Sequence, residues 1–235
     1  MLNFIDDKTT PRLRIDQDSL YPLLIHVDPG HGGIFNGTYQ TLGKQWDFGD
    51  FQIYEGQQNR IVAKLLAYKF MANHVSYNFT TISNYDESLS HRMEYVKHVM
   101  KSYPKYKHLL LSIHADATNE ESNANGVSFY TTPNITDSDF ASNYYYPYLQ
   151  ELGLRVRITR ATANEYDKES NFYVIRKIEE FGGMGILTEL GFMTNREEAL
   201  KILTPEFQDS AATALLKGTL DVINKLKSNG GKIRS

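Results

Sequence analysis

Leu23-Leu24-Ile25-His26-Val27-Asp28-Pro29-Gly30-His31-Gly32-Gly33 is the stretch on which the reading of this chain turns. Leu23, Leu24, Ile25 and Val27 around His26 are apolar and branched, which marks a buried strand. Pro29, Gly30, Gly32 and Gly33 stop it in a turn whose backbone can pass close to a ligand. Asp28 and His31 are delivered into that turn. Three more polar residues close similar segments: Glu55 in Ile53-Tyr54-Glu55-Gly56, His114 in Leu109-Leu110-Leu111-Ser112-Ile113-His114-Ala115-Asp116, and Glu189 in Ile186-Leu187-Thr188-Glu189-Leu190-Gly191-Phe192. Two imidazoles and two carboxylates therefore come from separate elements. Two His and one Glu, with a fourth position left to water, is a ligand set of catalytic zinc, whereas structural zinc is usually closed by four protein ligands. The 235 residues contain no cysteine, which excludes a thiolate zinc site, an iron–sulfur cluster and a disulfide framework.

Around this stretch, strand-like and helix-like patterns alternate. Strands are expected at residues 23–27, 78–82, 108–113, 126–131, 156–159 and 185–188. Helices are expected at 57–73, 87–103, 137–152 (kinked or split at Pro147), 172–180, 196–203 and 205–226. Asn195 with Glu198 forms a capping-box pattern, and Thr204-Pro205 opens the last helix. This rhythm predicts an α/β fold: a single domain with a mostly parallel, twisted central sheet of about six strands flanked by helices. Residues 1–19 read as a polar N-terminal arm, 20–228 as the folded domain and 229–235 as a frayed C-terminal tail. An apolar content of 41% suffices for a full core. The formal charge of −3 is spread without long like-sign runs, so nucleic acid is not expected as a partner. No run approaches the length of a transmembrane helix.

Four blocks in order, Asp28-Pro29-Gly30-His31-Gly32-Gly33, Glu55-Gly56-x-x-Asn59, Ser112-Ile113-His114-Ala115-Asp116 and Thr188-Glu189-Leu190-Gly191-Phe192-Met193-Thr194-Asn195, resemble the zinc-dependent N-acetylmuramoyl-L-alanine amidases of the amidase 3 type. The blocks run from Asp28 to Asn195, and the strand–helix pattern extends the likeness to about Leu226. The resemblance implies one catalytic zinc ion held by His31, Glu55 and His114, with Glu189 as the catalytic carboxylate. It makes residues 20–228 the catalytic domain and bacterial peptidoglycan the partner. Two departures bear on substrate preference. The interval from His31 to Glu55 is longer than is usual in the family and carries Phe35, Tyr39, Trp46, Phe48, Phe51 and Tyr54. Thr81-Ile82-Ser83-Asn84 stands where a Thr-Arg pair is usual.

Each residue also has a plainer use. His31 can simply stabilise its turn, but glycines on both sides favour a ligand. His114 can bond a backbone carbonyl; the polar Asp116-Ala117-Thr118-Asn119 that follows favours a ligand. Glu55 rests on the resemblance alone. Glu189 stands among Ile186, Leu187, Leu190 and Phe192, where an ionised carboxylate needs a nearby cation or a raised pKa, and either suits a general base. Asp28 can orient a ligand histidine or cap the turn. Arg160 and Arg176 are candidates for the acidic stem peptide, with salt bridges as the competing use. Trp46 marks the long aromatic interval as a substrate lid, against a packed surface loop. Asn195 completes the last block as a substrate-side candidate. The sixteen tyrosines, Tyr144-Tyr145-Tyr146 among them, offer sugar stacking or ordinary packing, and His26, His74, His91, His98 and His108 read as structural.

The function so implied is hydrolysis of the amide between N-acetylmuramic acid and L-alanine, in a phage endolysin or a bacterial autolysin. Residues 1–7 have neither a basic start nor an apolar core. Synthesis in the cytoplasm without a signal peptide is therefore expected, with action on the host wall if phage-encoded, or outside the cell or in the periplasm if a bacterial signal was trimmed. A monomer is expected. The rival readings are a non-catalytic peptidoglycan-binding module and a zinc peptidase that cuts within the stem peptide.

Overall fold

The apolar run at Leu23 forms an inner strand of a seven-stranded sheet, in a computed structural model that describes residues 3–5, 9–19, 21–133, 135–158 and 167–234. Among the described residues the strands are β1 (Leu13–Arg14), β2 (Leu23–Pro29), β3 (Ile34–Phe35), β4 (Thr38–Tyr39), β5 (Gln45–Asp47), β6 (Gln52–Tyr54), β7 (Ser76–Phe79), β8 (Lys107–Asp116), β9 (Val127–Thr131), β10 (Lys168–Glu169) and β11 (Met184–Phe192). The helices are α1 (Glu55–Ala72), α2 (Leu89–Ser102), α3 (Asp137–Ser142), α4 (Tyr146–Gln150), α5 (Tyr173–Glu180), α6 (Arg196–Ile202) and α7 (Pro205–Ser228).

The sheet order is β1-β7-β2-β8-β11-β9-β10, with β7, β2, β8 and β11 parallel. β1 on β7 and β9 on β11 are antiparallel, and β10 runs parallel to β9. Every residue of β2 is buried, as expected of a parallel strand covered on both faces. Leu109, Leu111 and Ile113 of β8 join the core under α1 and α7, while Leu110 points into a second cluster with Met93 and Val96 of α2 and Val174, Ile175 and Ile178 of α5. Strand alternation thus sends α1 and α7 to one face and α2 and α5 to the other.

The α/β class and the mostly parallel sheet follow the sequence reading; the strand count differs. β1 and β10, two residues each, carry no readable periodicity. The strand expected at 156–159 reduces to a single bridge between Val156 and Val127, and Thr159 lies outside the described residues. The arm is tied to the sheet: Leu13 pairs with Asn78, and Phe4 meets Phe79 edge-on at 5.6 Å. Beyond α7, Ile233 is buried in the core and Arg234 pairs with Asp137 at 2.6 Å, so this end packs rather than frays. Pro147 splits the 137–152 region into α3 and α4. The Asn195 side chain accepts from the Glu198 N–H at 3.1 Å, but the Glu198 carboxylate turns away to the Gly126 and Phe192 N–H groups, both at 2.7 Å. This is half a capping box.

Candidate active site

The carboxyl end of β2 leads directly into the His31 loop, and two buried arginines hold that loop by its carbonyls. Arg92 of α2 donates to Pro29 O at 2.7 Å, to His31 O at 3.0 Å and to the Asp28 carboxylate at 3.1 Å. Arg60 of α1 donates to Gly30 O at 3.4 Å, Gly56 O at 3.0 Å and Ser83 O at 3.0 Å. Burial pulls the Arg60 guanidinium down to about 10, still charged at neutral pH. His31 itself has φ 62°, a left-handed conformation that costs a non-glycine residue about 1–3 kcal/mol and persists only where its surroundings enforce it.

Glu55 is the first residue of α1, where the helix dipole favours a negative charge. Its Oε2 lies 3.2 Å from His31 Nε2 and its Oε1 lies 3.0 Å from His114 Nδ1. The Ala115 N–H also donates to Oε1, at 3.2 Å. Burial alone would raise this carboxyl, but the hydrogen bonds and charge of His114 and His31 win and hold it well below the usual range. Burial acts to lower the pKa of His114, and Glu55 reverses that to a net rise. The two imidazoles stand edge to face with centroids 5.0 Å apart. Two glycines permit this convergence: a Cβ on Gly30 would lie 2.2 Å from His114 Cε1, and one on Gly56 would lie 1.9 Å from Gly32 O.

Glu189 comes from β11, where it is the register partner of His114 on β8. Its Oε2 is buried without a hydrogen-bond partner. Burial pushes its carboxyl up to about 8, against the opposing pull of His114 and with help from the charges of Glu55 and Asp116. All four groups open on one cavity of about 590 Å³ at the carboxyl edge of the parallel strands, where sites of open α/β sheets gather. Its wall includes Lys44, Asp116, Leu89 and Phe172.

His31, Glu55 and His114 each offer a donor atom, all within 4.8 Å of one another. Two nitrogens and one oxygen from a loop, a helix start and a strand, with an unpartnered carboxylate oxygen beside them, fit a metal ion with an open coordination position. A second grouping, Asp16, Asp18 and His74, lies at the opposite edge of the sheet, where Arg14 already pairs with Asp16 at 2.9 Å.

Residues 25–221 match the family model described as N-acetylmuramoyl-L-alanine amidase. The chain belongs to this family, the amidase 3 type. Among its relatives, LytC of Bacillus subtilis, an N-acetylmuramoyl-L-alanine amidase, is 30% identical over 200 residues, covering 83% of this chain and 34% of that protein. An uncharacterised cell wall amidase of Bacillus anthracis is 28% identical over 200 residues, covering 84% of this chain and 35% of that protein. The amidase-family chain thus spans about a third of the length of the curated relatives it matches. Among solved structures, an N-acetylmuramoyl-L-alanine amidase from Clostridium difficile 630 superposes with a TM-score of 0.65 at 25% identity, covering 88% of this chain and 98% of that one. The catalytic domain of CwlV from Bacillus (Paenibacillus) polymyxa has the same fold, with a TM-score of 0.65 at 21% identity, over 86% of this chain and 98% of that one.

Other expected site residues of the amidase-family chain have different employment. Asp28 does not bond a site histidine; its carboxylate accepts from Thr80 Oγ1 at 2.5 Å, Ser112 Oγ at 2.7 Å and Arg92. Trp46 is absent from the cavity wall: it packs against the core with its indole nitrogen buried, 6.4 Å from Phe48 between ring centroids. The long interval folds into two small hairpins, β3–β4 and β5–β6, and the second is fastened by Asp50 to Arg196 of α6 at 2.6 Å. Arg176 pairs with Glu180 at 2.7 Å, away from this cavity, and Asn195 is a helix cap that also donates to Ala124 O at 3.1 Å. Arg160 lies outside the described residues. His26 stacks on His108 in a buried chain running from Asn78 to Tyr103 O, a structural use. Sequence reasoning passed over Arg60, Arg92 and Lys44; an arginine beside the apolar positions of each of two helices was the available signal for the first pair.

Proposed function

We propose that this protein is a zinc-dependent N-acetylmuramoyl-L-alanine amidase, which hydrolyses the amide joining N-acetylmuramic acid to the L-alanine of the peptidoglycan stem peptide. The observation that carries this reading is the partnerless Glu189 carboxylate beside the His31–Glu55–His114 donor set in one cavity, within a chain of the amidase family. His31, Glu55 and His114 would hold the ion. When bound, zinc supplies a Lewis acid that polarises the amide carbonyl and brings the pKa of water from ~16 towards ~7. Glu189 accepts the proton of the attacking water and hands it to the departing alanine nitrogen, a contribution of ~10²- to 10⁴-fold. A carboxyl whose pKa is raised towards neutral pH suits a group that both takes up and returns a proton. Arg92 keeps the His31 loop in place without touching substrate. Phage-endolysin and bacterial-autolysin settings differ in how the enzyme reaches the wall and share this chemistry.

The test is digestion of purified cell wall. New free L-alanine amino groups without new reducing sugar ends, abolished by chelation and restored by zinc, are the expected result. New reducing ends would indicate a glycosidase, a different new N-terminal residue a stem peptidase, and binding without cleavage a wall-binding module.

A further inference from the structure

The cavity has two unlike ends. Leu89 and Phe172 stand at the amino ends of α2 and α5, on the sheet face those helices share, and both side chains are exposed. Phe172 is held there by an edge-on contact with Tyr130 at 5.3 Å. Lys44 is at the other end. It directly precedes the β5–β6 hairpin, which runs into α1 on the opposite face, and its carbonyl accepts from the Glu55 N–H at 3.0 Å. The backbone of Lys44 is thus tied to the first residue of α1, while its exposed side chain is free to swing.

Charge then distinguishes the ends. Among the carboxylates of the wall, Asp116 is paired with Arg157 and Asp86 lies 3.5 Å from Arg92, which leaves Glu87 as the one without a countercharge among the described residues, Glu189 holding its proton up to about pH 8. Arg92 is closed to a ligand, because its guanidinium is fully buried and committed to Asp28, Asp86, Pro29 O, His31 O and Glu87 O. Among the described residues, the Lys44 ammonium makes no hydrogen bond or ion pair, and Glu189 is within reach of its field. Outside the donor set, Lys44 is the exposed cation of the described cavity wall, and an incoming carboxylate is drawn to it.

We propose that Lys44 anchors a free carboxylate carried by the residue that follows the scissile L-alanine, so that the leaving peptide runs towards Lys44 and the muramoyl group towards Leu89 and Phe172. This rests on the amidase reading above. Stem peptides with an ionised carboxyl at that position are preferred over those in which it is amidated. Because Lys44 is exposed, the preference is about threefold to fivefold and fades with salt.

The experiment compares kcat/KM for N-acetylmuramoyl-L-alanyl-D-isoglutamate and for its isoglutamine amide, using the zinc-loaded full chain, Lys44→Met and Lys44→Arg. The expected acid-to-amide ratio is about three or more in the intact protein at low salt, near one in Lys44→Met and restored in Lys44→Arg. An effect of Lys44 on Glu189 alone changes both substrates equally and cancels in the ratio. A ratio near one in the intact protein, or one unchanged by Lys44→Met, overturns the carboxylate anchor and leaves the amidase reading standing. If neither substrate is cut at the lactyl amide, the amidase reading fails and the anchor with it.

Discussion

Glu189 and His114 are register partners on the neighbouring parallel strands β11 and β8, so an imidazole of the donor set and the proposed base share one rung of the sheet. The rung fixes their separation without any loop that could shift. Glu55 completes the arrangement from a helix start, bonded to His114 at 3.0 Å. Removal of each group should therefore have its own signature. His31→Ala, Glu55→Ala and His114→Ala should each lower bound zinc, measured by elemental analysis, together with wall hydrolysis. Glu189→Gln should keep zinc and fold while turnover drops by ~10²- to 10⁴-fold. Wild-type turnover in Glu189→Gln would mean that the base lies elsewhere.

Gly30 and Gly56 should resist even alanine. The added methyl at Gly56 would meet the Gly32 carbonyl, a backbone atom that cannot step aside, and that at Gly30 would meet the His114 ring. Each substitution should cost about 1–3 kcal/mol in denaturant unfolding, as overpacking does, and should weaken zinc binding. Normal zinc affinity in Gly30→Ala would show that the His114 ring has room to move.

Metal-free protein should lose stability in both directions of pH. The Glu189 pKa is raised above its ordinary 4.5 to about 8, so its contribution is complete below 4.5 and lost as pH climbs through about 8. His114, also raised, adds to the loss on the alkaline side. Glu55 is lowered, so its contribution is present above 4.5 and lost as pH falls below it. Thermal melts of chelated protein from pH 4 to 9 should show the alkaline decline shallower in Glu189→Gln, with the acid limb kept. An unchanged alkaline limb would assign that decline to other groups.

Arg92→Leu should be among the most damaging substitutions outside the donor set. It leaves the Asp28 carboxylate buried without its countercharge, a loss of about 3–5 kcal/mol, and frees the carbonyls of Pro29 and His31. Adding Asp28→Asn should recover part of the stability but not the zinc affinity, because the carbonyl contacts remain broken. Urea unfolding and zinc titration of the two variants separate these effects.

Trp46 should report on packing. Its fluorescence should stay flat when a muramyl peptide is added to Glu189→Gln, since the ring lies outside the cavity wall. Trp46→Ala should lower the melting temperature, at less than the ~3–5 kcal/mol typical of a fully buried tryptophan, because this one is only half-buried. A saturable fluorescence change on ligand addition would restore the lid.

The strands that carry site residues were legible because they are buried on both faces: β2, β8 and β11 read as mostly apolar runs, with polar residues gathered at or near their carboxyl ends. β1 and β10 were not, since two residues cannot display a period. Asn195 was legible as a cap, but the destination of Glu198 depends on Gly126 and Phe192, which only the folded sheet brings near. Asp28 shows the same limit. Its position beside the histidines was visible, and its commitment to Thr80, Ser112 and Arg92 was not.

By itself, the sequence determined the α/β class and marked His31, His114 and Glu189 as candidates, because local composition reports which segments are buried and where polar side chains interrupt them; Glu55 came from the family resemblance. The tertiary structure decided that Glu55 stands between the two imidazoles, that Trp46 faces the core and that Lys44 faces the cavity. Those outcomes depend on which strands become neighbours and on how closely the Gly30 and Gly56 backbones let other groups approach, and such long-range packing leaves no periodic trace along the chain.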